Sequence, residues 1–459
     1  METQEQINGF KTYFEQVDYL VSTAKEEAKI KPERSLDILR EAVTISNSID
    51  YKAGKAKAKL SEGICHRQLS NFDSAIKCYH ESLDIYKEIQ DINGEIRSLN
   101  SIGNVYYSLS DYNKAIEYFN VCVEKLALNG DKQFLAVVYS NIGLVYQEMN
   151  NLSSALASYY EALNIYSELN KAIPHSLYNN IGIVYQEIGD YTTSVQYFKK
   201  ALQLEEHEGN LIYQCSTLGN IGISYIKSGD HLNGVTYLGE ALIIARLIGN
   251  RQSEANIYNH LGNAYKVMKS YPLAVDYKLK ALKYNREIGD KSAIAATLCQ
   301  LGKIYFELND YKASKQSYIE SLEIVIEISD TINEVIIYVG LAELYNKFRD
   351  IEKTVNFLTK AEKLSKSRNA DKELMKIHTI YNDCFKNGGD YEKAVYHLEQ
   401  SKFYAKKILD FDEEKKVRSM LLGKIFDDSK LTNGESDHSL PKLKDVLSRG
   451  YQMTGLRKH

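Results

Sequence analysis

The stretch NIGLVYQEMNNLSSALASYY, residues 141–160, decides the fold because variants of it recur along the chain. Residues 101–119, 180–198, 260–277 and 300–318 repeat its order of a small residue, an aromatic residue three positions later and a polar turn. Seven copies have glycine as the small residue, and every step from one glycine to the next is forty positions except for a single step of thirty-nine. They are Gly63, Gly103, Gly143, Gly182, Gly222, Gly262 and Gly302. A fixed period of this length indicates a repeat architecture.

The register of the glycine position extends to ten repeats. It reaches Thr23 towards the N terminus, and Ala342 and Asn382 towards the C terminus. Nineteen positions after it all ten repeats carry a small residue, and three positions after it eight repeats carry an aromatic residue. Small side chains let two helices approach closely, and an aromatic ring fills the space beside them. The pattern therefore predicts paired helices throughout the chain.

Residues suited to helix ends also recur at fixed positions. Eight positions after the glycine stand Asn71, Asp111, Asn151, Asp190, Asp230, Ser270, Asp310, Asp350 and Asp390. Their side chains can accept hydrogen bonds from the free amides of a first helical turn. A second boundary has glycine followed by Asp or Asn, at positions 130–131, 209–210, 249–250 and 289–290. Because glycine favours helix C termini, each repeat is expected to contain two antiparallel helices and tight turns.

The residues that recur at fixed positions of each repeat resemble those of the tetratricopeptide repeat (TPR), in which Gly, Tyr and Ala occupy the corresponding positions of two helices. The 40-residue period resembles that of the LGN/Pins adaptors, kinesin light chains and Rap-type regulators, and the resemblance covers about residues 20–409. It implies an all-α fold, a right-handed TPR superhelical solenoid of about ten helix-turn-helix units. It also implies that the first helix of each repeat lines a concave groove, with the second helices forming the outer wall.

The sequence divides into four segments on this reading. Residues 1–22 are expected to form a lead-in or capping helix, and residues 23–409 the TPR solenoid. Residues 410–429 are expected to extend the last helix, since charge pairs spaced by four residues support a solvated helix. Residues 430–459 are polar, turn-rich and then basic, which predicts a flexible linker and tail. Whether that tail is a docking motif or simply solvated stays open.

Composition and charge restrict the class of partner. The net charge of −4 gives no general attraction to nucleic acid or to an anionic membrane. The sequence has no apolar run of about 18 residues, so membrane insertion is not expected. The first ten residues, METQEQINGF, lack the pattern of a signal peptide. Six scattered cysteines without a CxxC pair indicate free thiols and therefore a cytoplasmic location.

The motifs of common catalytic and cofactor sites are absent. The sequence contains no P-loop, GxSxG, HExxH, EF-hand or GxGxxG pattern. Cys65, His66, Cys78 and His80 are possible zinc ligands within one repeat, but adjacent residues of a helix point about 100° apart. We therefore expect these side chains to be structural. The sequence predicts a protein that is not an enzyme and that needs no cofactor or metal.

Amide side chains recur where the resemblance places the concave groove, at and near the positions two before and one after the glycine. They are Asn100, Asn104, Asn141, Gln147, Asn179, Asn180, Gln186, Asn220, Asn259 and Asn263. Asparagine is a mediocre helix former, but its amide offers a donor and an acceptor that match one peptide unit. A ladder of such amides is predicted to hold an extended peptide backbone. Descent from one ancestral repeat, or bonding between neighbouring helices, would also produce the recurrence.

The function predicted from these features is that of a scaffold or adaptor that binds a protein or an extended peptide segment in its groove. The alternative is a regulator similar to the Rap type, which binds a signal peptide and controls a partner signalling protein. The groove positions carry Asn or Ile where carboxylate-clamp TPR proteins need Lys or Arg. An acidic C-terminal tail is therefore not the expected ligand, and the oligomeric state stays open.

Overall fold

The computed structural model describes residues 12–129 and 131–410, which form twenty α-helices and no strand. The first helices of the repeats are α1 (Tyr13–Ala28), α3 (Lys52–Gln68), α5 (Ile92–Ser108), α7 (Lys132–Glu148), α9 (His175–Ile188), α11 (Leu211–Ser228), α13 (Arg251–Val267), α15 (Lys291–Glu307), α17 (Thr331–Lys347) and α19 (Asp371–Asn387). The second helices are α2 (Pro32–Ser48), α4 (Phe72–Glu88), α6 (Tyr112–Asn129), α8 (Leu152–Glu168), α10 (Tyr191–Glu208), α12 (His231–Leu247), α14 (Tyr271–Ile288), α16 (Tyr311–Glu327), α18 (Ile351–Ser367) and α20 (391–410). The predicted all-α repeat is thus confirmed.

The chain forms two compact parts. The N-terminal part comprises Met1–Glu187 and contains α1 to α9. The C-terminal part comprises Ile188–His459 and contains α10 to α20. No helix within residues 12–129 and 131–410 is long and apolar enough to cross a membrane.

The predicted segment boundaries fall as follows. The boundary between residues 22 and 23 lies inside α1, which is continuous from Tyr13 to Ala28. Residues 1–11 of the predicted lead-in helix lie outside the described residues. The same holds for residues 411–459, which include nearly all of the predicted helix extension and the whole predicted linker and tail.

Side-chain caps fix most of the helix starts that the sequence predicts. Asn151 accepts a hydrogen bond from the amide of Ser154, and Asp190 accepts one from the amide of Thr193. Equivalent caps are made by Asp111, Asp230, Asp310, Asp350 and Asp390. Asn71 and Ser270 also precede helices, but their side chains make no cap bond, contrary to the prediction. At Ser270 one possible donor is missing, because Pro272 has no N–H.

The turns between helices depend on single residues in the left-handed region. Gly209, Gly249 and Gly289 have φ values of 69°, 68° and 79°, and each directly precedes an N-cap. Glycine reaches this region without a Cβ clash, which explains the predicted glycine stops. Other turns place Ser110 or Asn150 there, with φ values of 59° and 55°.

In both parts the glycine position packs against a large side chain that stands sixteen positions later, in the second helix of the same repeat. A Cβ atom on Gly143 would lie 2.5 Å from the Tyr159 ring, and one on Gly302 would lie 2.7 Å from the Tyr318 ring. The pairs of this kind are Gly63–Tyr79, Gly103–Phe119, Gly143–Tyr159, Gly222–Leu238, Gly262–Lys278 and Gly302–Tyr318. Because only hydrogen separates the two helices at this point, the large side chain lies directly against the backbone of the first helix.

First helices of successive repeats also contact one another within each part. These contacts join α1 to α3, α3 to α5 and α5 to α7 in the N-terminal part. They join α11 to α13, α15 to α17 and α17 to α19 in the C-terminal part. Among the described residues, second helices of successive repeats make no comparable contacts. The first helices therefore lie on the inner side of each part, and we call the surface they form the first-helix face.

Two histidines join the last helix pair. His378 on α19 is buried, and its Nδ1 lies 2.9 Å from Nδ1 of His397 on α20. The two rings stack with a centroid distance of 5.1 Å, and His378 Nε2 lies 4.0 Å from the Glu362 carboxylate. A hydrogen bond between two ring nitrogens requires one of them to be unprotonated. The contact therefore depends on at least one neutral imidazole.

We predict that acidification loosens α20. Burial lowers the pKa of both histidines from 6.5, and the charge of His378 lowers that of His397 further, while Glu362 opposes this and Lys366 adds to it. Since the folded state favours the neutral rings, this stability is complete above pH 6.5 and is lost as the pH falls below it. Hydrogen exchange of residues 391–410, corrected for intrinsic rates, should show lower protection at about pH 5.5 than at about pH 7.5.

The preceding repeat supplies the control for this pH effect. Tyr338 and Phe357 occupy the equivalent positions there, with ring centroids 6.0 Å apart. The double variant His378→Tyr/His397→Phe should keep the packing and lose the pH dependence of α20. An equal loss of protection in the variant and the wild type would show that other groups cause it.

A second prediction concerns the glycine position. Gly143→Ala should lower the free energy of unfolding by about 1–3 kcal/mol, because Tyr159 is fully buried and cannot move away from the new methyl group. Gly239→Ala, within α12, meets no atom within 4 Å and should be neutral or stabilising by up to about 1 kcal/mol. Chemical denaturation of both variants measures the difference, and similar stabilities would contradict the proposed close contact.

Candidate functional site

The structure places all ten predicted amide residues on first helices, each of them half-buried. The N-terminal part holds Asn100 and Asn104 on α5, Asn141 and Gln147 on α7, and Asn179, Asn180 and Gln186 on α9. The C-terminal part holds Asn220 on α11, and Asn259 and Asn263 on α13. They therefore form two groups, one on the first helices of each part.

Several amides of the N-terminal group join neighbouring first helices. Asn141 Nδ2 donates a hydrogen bond of 3.0 Å to Asn100 Oδ1, across α7 and α5. Gln147 Nε2 donates one of 3.1 Å to Glu187, and Gln147 Oε1 accepts one of 3.2 Å from the Tyr159 hydroxyl. These contacts match the alternative interpretation of the amide recurrence, in which the side chains link helices.

Other amides have no such role among the described residues. Asn104 on α5 and Asn180 on α9 are half-buried, and their side chains make no hydrogen bond within the described part of the chain. In the C-terminal part, Asn263 on α13 is also half-buried, and its side chain makes no hydrogen bond with a described residue. A half-buried amide that lacks a partner keeps both its donor and its acceptor for a ligand.

The C-terminal part contains a fully buried lysine beside this face. Lys278 on α14 has no exposed surface and occupies the position that faces Gly262. Its methylene groups pack there, since a Cβ on Gly262 would lie 2.8 Å from Lys278 Cε. In other repeats the same position holds an aromatic or leucine side chain such as Phe119, Leu238 or Tyr318.

The ammonium group of Lys278 is held by three oxygen atoms. It donates to the backbone carbonyl of Asn259 at 2.8 Å, to Asn259 Oδ1 at 3.1 Å and to Gln300 Oε1 on α15. Thr297 Oγ1 also donates to Asn259 Oδ1 at 3.2 Å, and buried Asn285 donates to Thr297 Oγ1 at 3.3 Å. Three acceptors match the three donors of an ammonium group.

Positive charges surround this network. Burial lowers the pKa of Lys278 to about 7, and Lys266 adds to the shift. Burial also lowers the pKa of Lys266, and the charges of Lys303 and Lys376 lower it further, while Glu307 opposes them. The pKa of His260 falls to about 4 through burial and the charges of Lys278 and Lys227, so this imidazole is neutral at pH 7.

A cavity of about 540 Å³ lies further along the C-terminal part, bordered by α15, α17 and α19. Its lining includes Lys347, Lys376 and Lys386 together with Glu343 and Asp383. Lys376 and Glu343 form an ion pair of 2.9 Å. The cavity is therefore polar and of mixed charge.

The two cysteines weighed as zinc ligands have hydrogen-bond partners within the fold, whereas His66 Nδ1 is buried without one among the described residues. Cys65 Sγ donates to Ser35 Oγ at 3.2 Å, and Cys78 Sγ donates to Glu62 at 3.8 Å. Within residues 12–129 and 131–410, no three His, Cys, Asp or Glu side chains come close enough to hold a metal ion. All six cysteines are buried and free.

Lys278 is the feature that the sequence analysis missed. The signal was present, because the position facing the glycine from the second helix is apolar in Leu39, Tyr79, Phe119, Tyr159, Phe198, Leu238, Tyr318 and Leu358. A lysine at a repeat position that is otherwise apolar and buried indicates a buried charge. Comparing that column between repeats would have identified it.

The alternating helices, the glycine contact and the 40-residue register agree with a family comparison. The sequence model of the tetratricopeptide repeat matches residues 54–126, 95–168, 174–231, 213–287 and 253–327. The chain belongs to the tetratricopeptide repeat family. Membership supports a repeat-based scaffold for binding or regulation. No curated protein matches the sequence.

Solved structures share the TPR fold at low sequence identity. RapI in its apo form has a TM-score of 0.51 at 18% identity, covering 60% of this chain and 99% of RapI. The apo quorum sensor NprR from B. thuringiensis has a TM-score of 0.50 at 17% identity, covering 71% and 91%. A signal transduction ATPase with a TPR sensor from Pyrococcus horikoshii has a TM-score of 0.52 at 17% identity, covering 72% of this chain and 52% of that protein. At such identities the likeness shows the fold.

Replacing the buried lysine should stabilise the TPR fold. Lys278→Leu places at this position the side chain of Leu238 and should raise the free energy of unfolding by about 1–4 kcal/mol. The folded pKa of about 7 lies below the ordinary 10.5, so folding is penalised fully below pH 7 and progressively less as the pH rises towards 10.5. The gain should therefore be larger at about pH 7 than at about pH 9.5.

Chemical denaturation at both pH values measures this difference. Lys283→Met, which removes an exposed lysine from the same helix, is the control and should leave the stability nearly unchanged. A Lys278→Leu protein that is less stable than the wild type at pH 7 would show that the ammonium contacts outweigh the cost of burial.

Proposed function

We propose that this TPR protein is a non-enzymatic cytoplasmic scaffold that binds extended peptide segments of other proteins on its first-helix face. The observation that carries the proposal is the set of half-buried amides without a partner in the described chain, Asn104, Asn180 and Asn263. An extended peptide presents one N–H and one C=O per residue, which one side-chain amide can satisfy together. Partial burial strengthens such bonds relative to those in open solvent.

The bonded amides have a supporting role in this proposal. Asn100, Asn141 and Gln147 connect α5, α7 and α9. They fix the spacing of neighbouring first helices, and this spacing sets the distance between the amides that remain for a ligand. Loss of Asn141 is therefore expected to act through the position of its neighbours.

The test begins with selection of random 12-residue peptides on the full-length protein. Affinities of the enriched peptides are then measured for Asn104→Ala and Asn180→Ala by fluorescence anisotropy. Each substitution is expected to weaken the peptides that bind the N-terminal part by about threefold to tenfold, the effect of one hydrogen bond. The matched controls are Asn113→Ala and Asn164→Ala, which change exposed amides on the second helices α6 and α8.

Two outcomes would count against the proposed function. No peptide enriched over an unrelated helical protein would overturn it. Equal losses in the first-helix variants and the second-helix controls would place the binding surface elsewhere. Circular dichroism and melting temperature accompany each variant, so that loss of folding is recognised.

The alternative of a peptide-controlled regulator has one supporting observation, the fold shared with the quorum sensor NprR. In such a regulator the ligand must favour one conformation over another. Small-angle scattering of the protein with and without a selected peptide separates the two functions. A change in the radius of gyration supports a regulator, and an unchanged value supports a scaffold.

A further inference from the structure

We propose that the first-helix face formed by α13 and α15 around Lys278 binds acidic side chains, aspartate or glutamate, within the bound peptide. The inference rests on the proposed function and deepens it, because it names the chemistry of the ligand at one place. Three observations carry it: the orientation of two amides, the exposure of their nitrogen atoms and an excess of unpaired positive charge.

Lys278 fixes the orientation of Asn259 and Gln300. In its protonated form a lysine offers only donors, so the two amides turn their oxygens towards the ammonium group. The structure has this arrangement, with Asn259 Oδ1 at 3.1 Å from Lys278 Nζ and Gln300 Oε1 also bonded to it. The reverse orientation of either amide would set N–H groups against an ammonium group inside the fold.

The nitrogen atoms of the same two amides remain available to a ligand. Neither Asn259 Nδ2 nor Gln300 Nε2 has a hydrogen-bond partner among the described residues, and neither is among the buried atoms without one. Both residues are half-buried with their oxygens turned inward. At Asn259 and Gln300 the face therefore offers donors only, whereas the side-chain oxygen of Asn100 accepts a hydrogen bond from Asn141 on the neighbouring first helix.

Positive charge adds to the donors. Lys266 on α13 and Lys303 on α15 are half-buried, and neither forms an ion pair with another described residue, although the charge of Glu307 partly offsets that of Lys266. Nearby lysines that are more exposed differ, since Lys280 pairs with Asp276 at 2.6 Å and Lys291 pairs with Glu327. Half-buried like charges repel each other, so an anion bound between them would relieve an electrostatic cost already present in the fold.

A carboxylate fits this combination better than a backbone carbonyl does. It accepts from several donors at once, and a hydrogen bond in which the donor or the acceptor is ionised is stronger than one between neutral groups. Asn263 lies four residues after Asn259, so both amides project from the same side of α13. Because Asn263 keeps a donor and an acceptor for peptide backbone, the chain is expected to continue past the site, which favours an acidic side chain over a C-terminal carboxylate.

The experiment uses the full-length protein and the same 12-residue library, displayed as internal segments without a free C terminus. Selection is repeated on Lys278→Leu and on the control Lys283→Met. The two variants have the same net charge, because each removes one lysine. Wild type and Lys283→Met should enrich peptides with aspartate or glutamate, and Lys278→Leu should lose that preference. The Leu variant keeps the packing of the equivalent Leu238 and is expected to fold.

Binding measurements then quantify the preference. An enriched acidic peptide with blocked ends is compared with its Asn/Gln isostere, and the acidic form should bind wild type about tenfold more tightly at low salt. Lys278→Leu and Lys303→Met should each reduce this ratio towards one. A neutral peptide with a free carboxyl end should show no dependence on Lys278.

The possible results separate the two proposals. Peptides enriched without acidic preference, or a preference that Lys278→Leu retains, would overturn the acidic site and leave peptide binding intact. A dependence on Lys278 shown only by the free carboxyl end would also overturn it. Failure of every variant to enrich any peptide would overturn the proposed function itself.

Discussion

The contact between the glycine of a first helix and the large side chain that faces it from the second helix controls the rest of the structure. At Gly63 and Gly143 the partner is a buried tyrosine, whose ring would lie within 2.5 Å of an added Cβ. Two helices meet here with no side chain on one of them, so their separation is set by the thickness of the opposing ring. Repetition of this contact gives successive repeats a similar geometry and brings the first helices of each part side by side.

Much of the fold could be predicted from the sequence because its determinants are local and periodic. Caps such as Asp190 lie three residues from the amide they bond, and the glycine contact spans a single turn between two helices. The caps that failed, Asn71 and Ser270, depend on local geometry that residue type does not determine. The sequence therefore located the helix starts but could not specify every bond.

The candidate site was only partly predictable, since its chemistry depends on partners that lie in neighbouring repeats. Residue type and register place Asn141 on a first helix, but its bond to Asn100 depends on how α5 and α7 are aligned. The same limit applies to Asn259, whose oxygen is taken by Lys278 and Thr297. An amide whose oxygen is already bonded can offer a ligand only its N–H groups, whereas Asn104 keeps both its donor and its acceptor. The two residues nevertheless occur in the same sequence pattern.

Lys278 connects the packing of the repeat with the chemistry of its surface. A buried lysine in an apolar column is expected to lower stability, and under the proposed acidic site this cost is retained because the site depends on it. Here the ammonium group lies behind the first-helix face and acts on it through Asn259 and Gln300, which present donors as a result. Under the proposed acidic site, a substitution in the contact that holds two helices together would change what the inner face can recognise, without changing any residue on that face. In a repeat protein the spacing of the helices and the charge behind the first-helix face can therefore vary independently. The regularly placed glycines keep the helix spacing constant, while the residue opposite each glycine determines whether a charge lies behind the face.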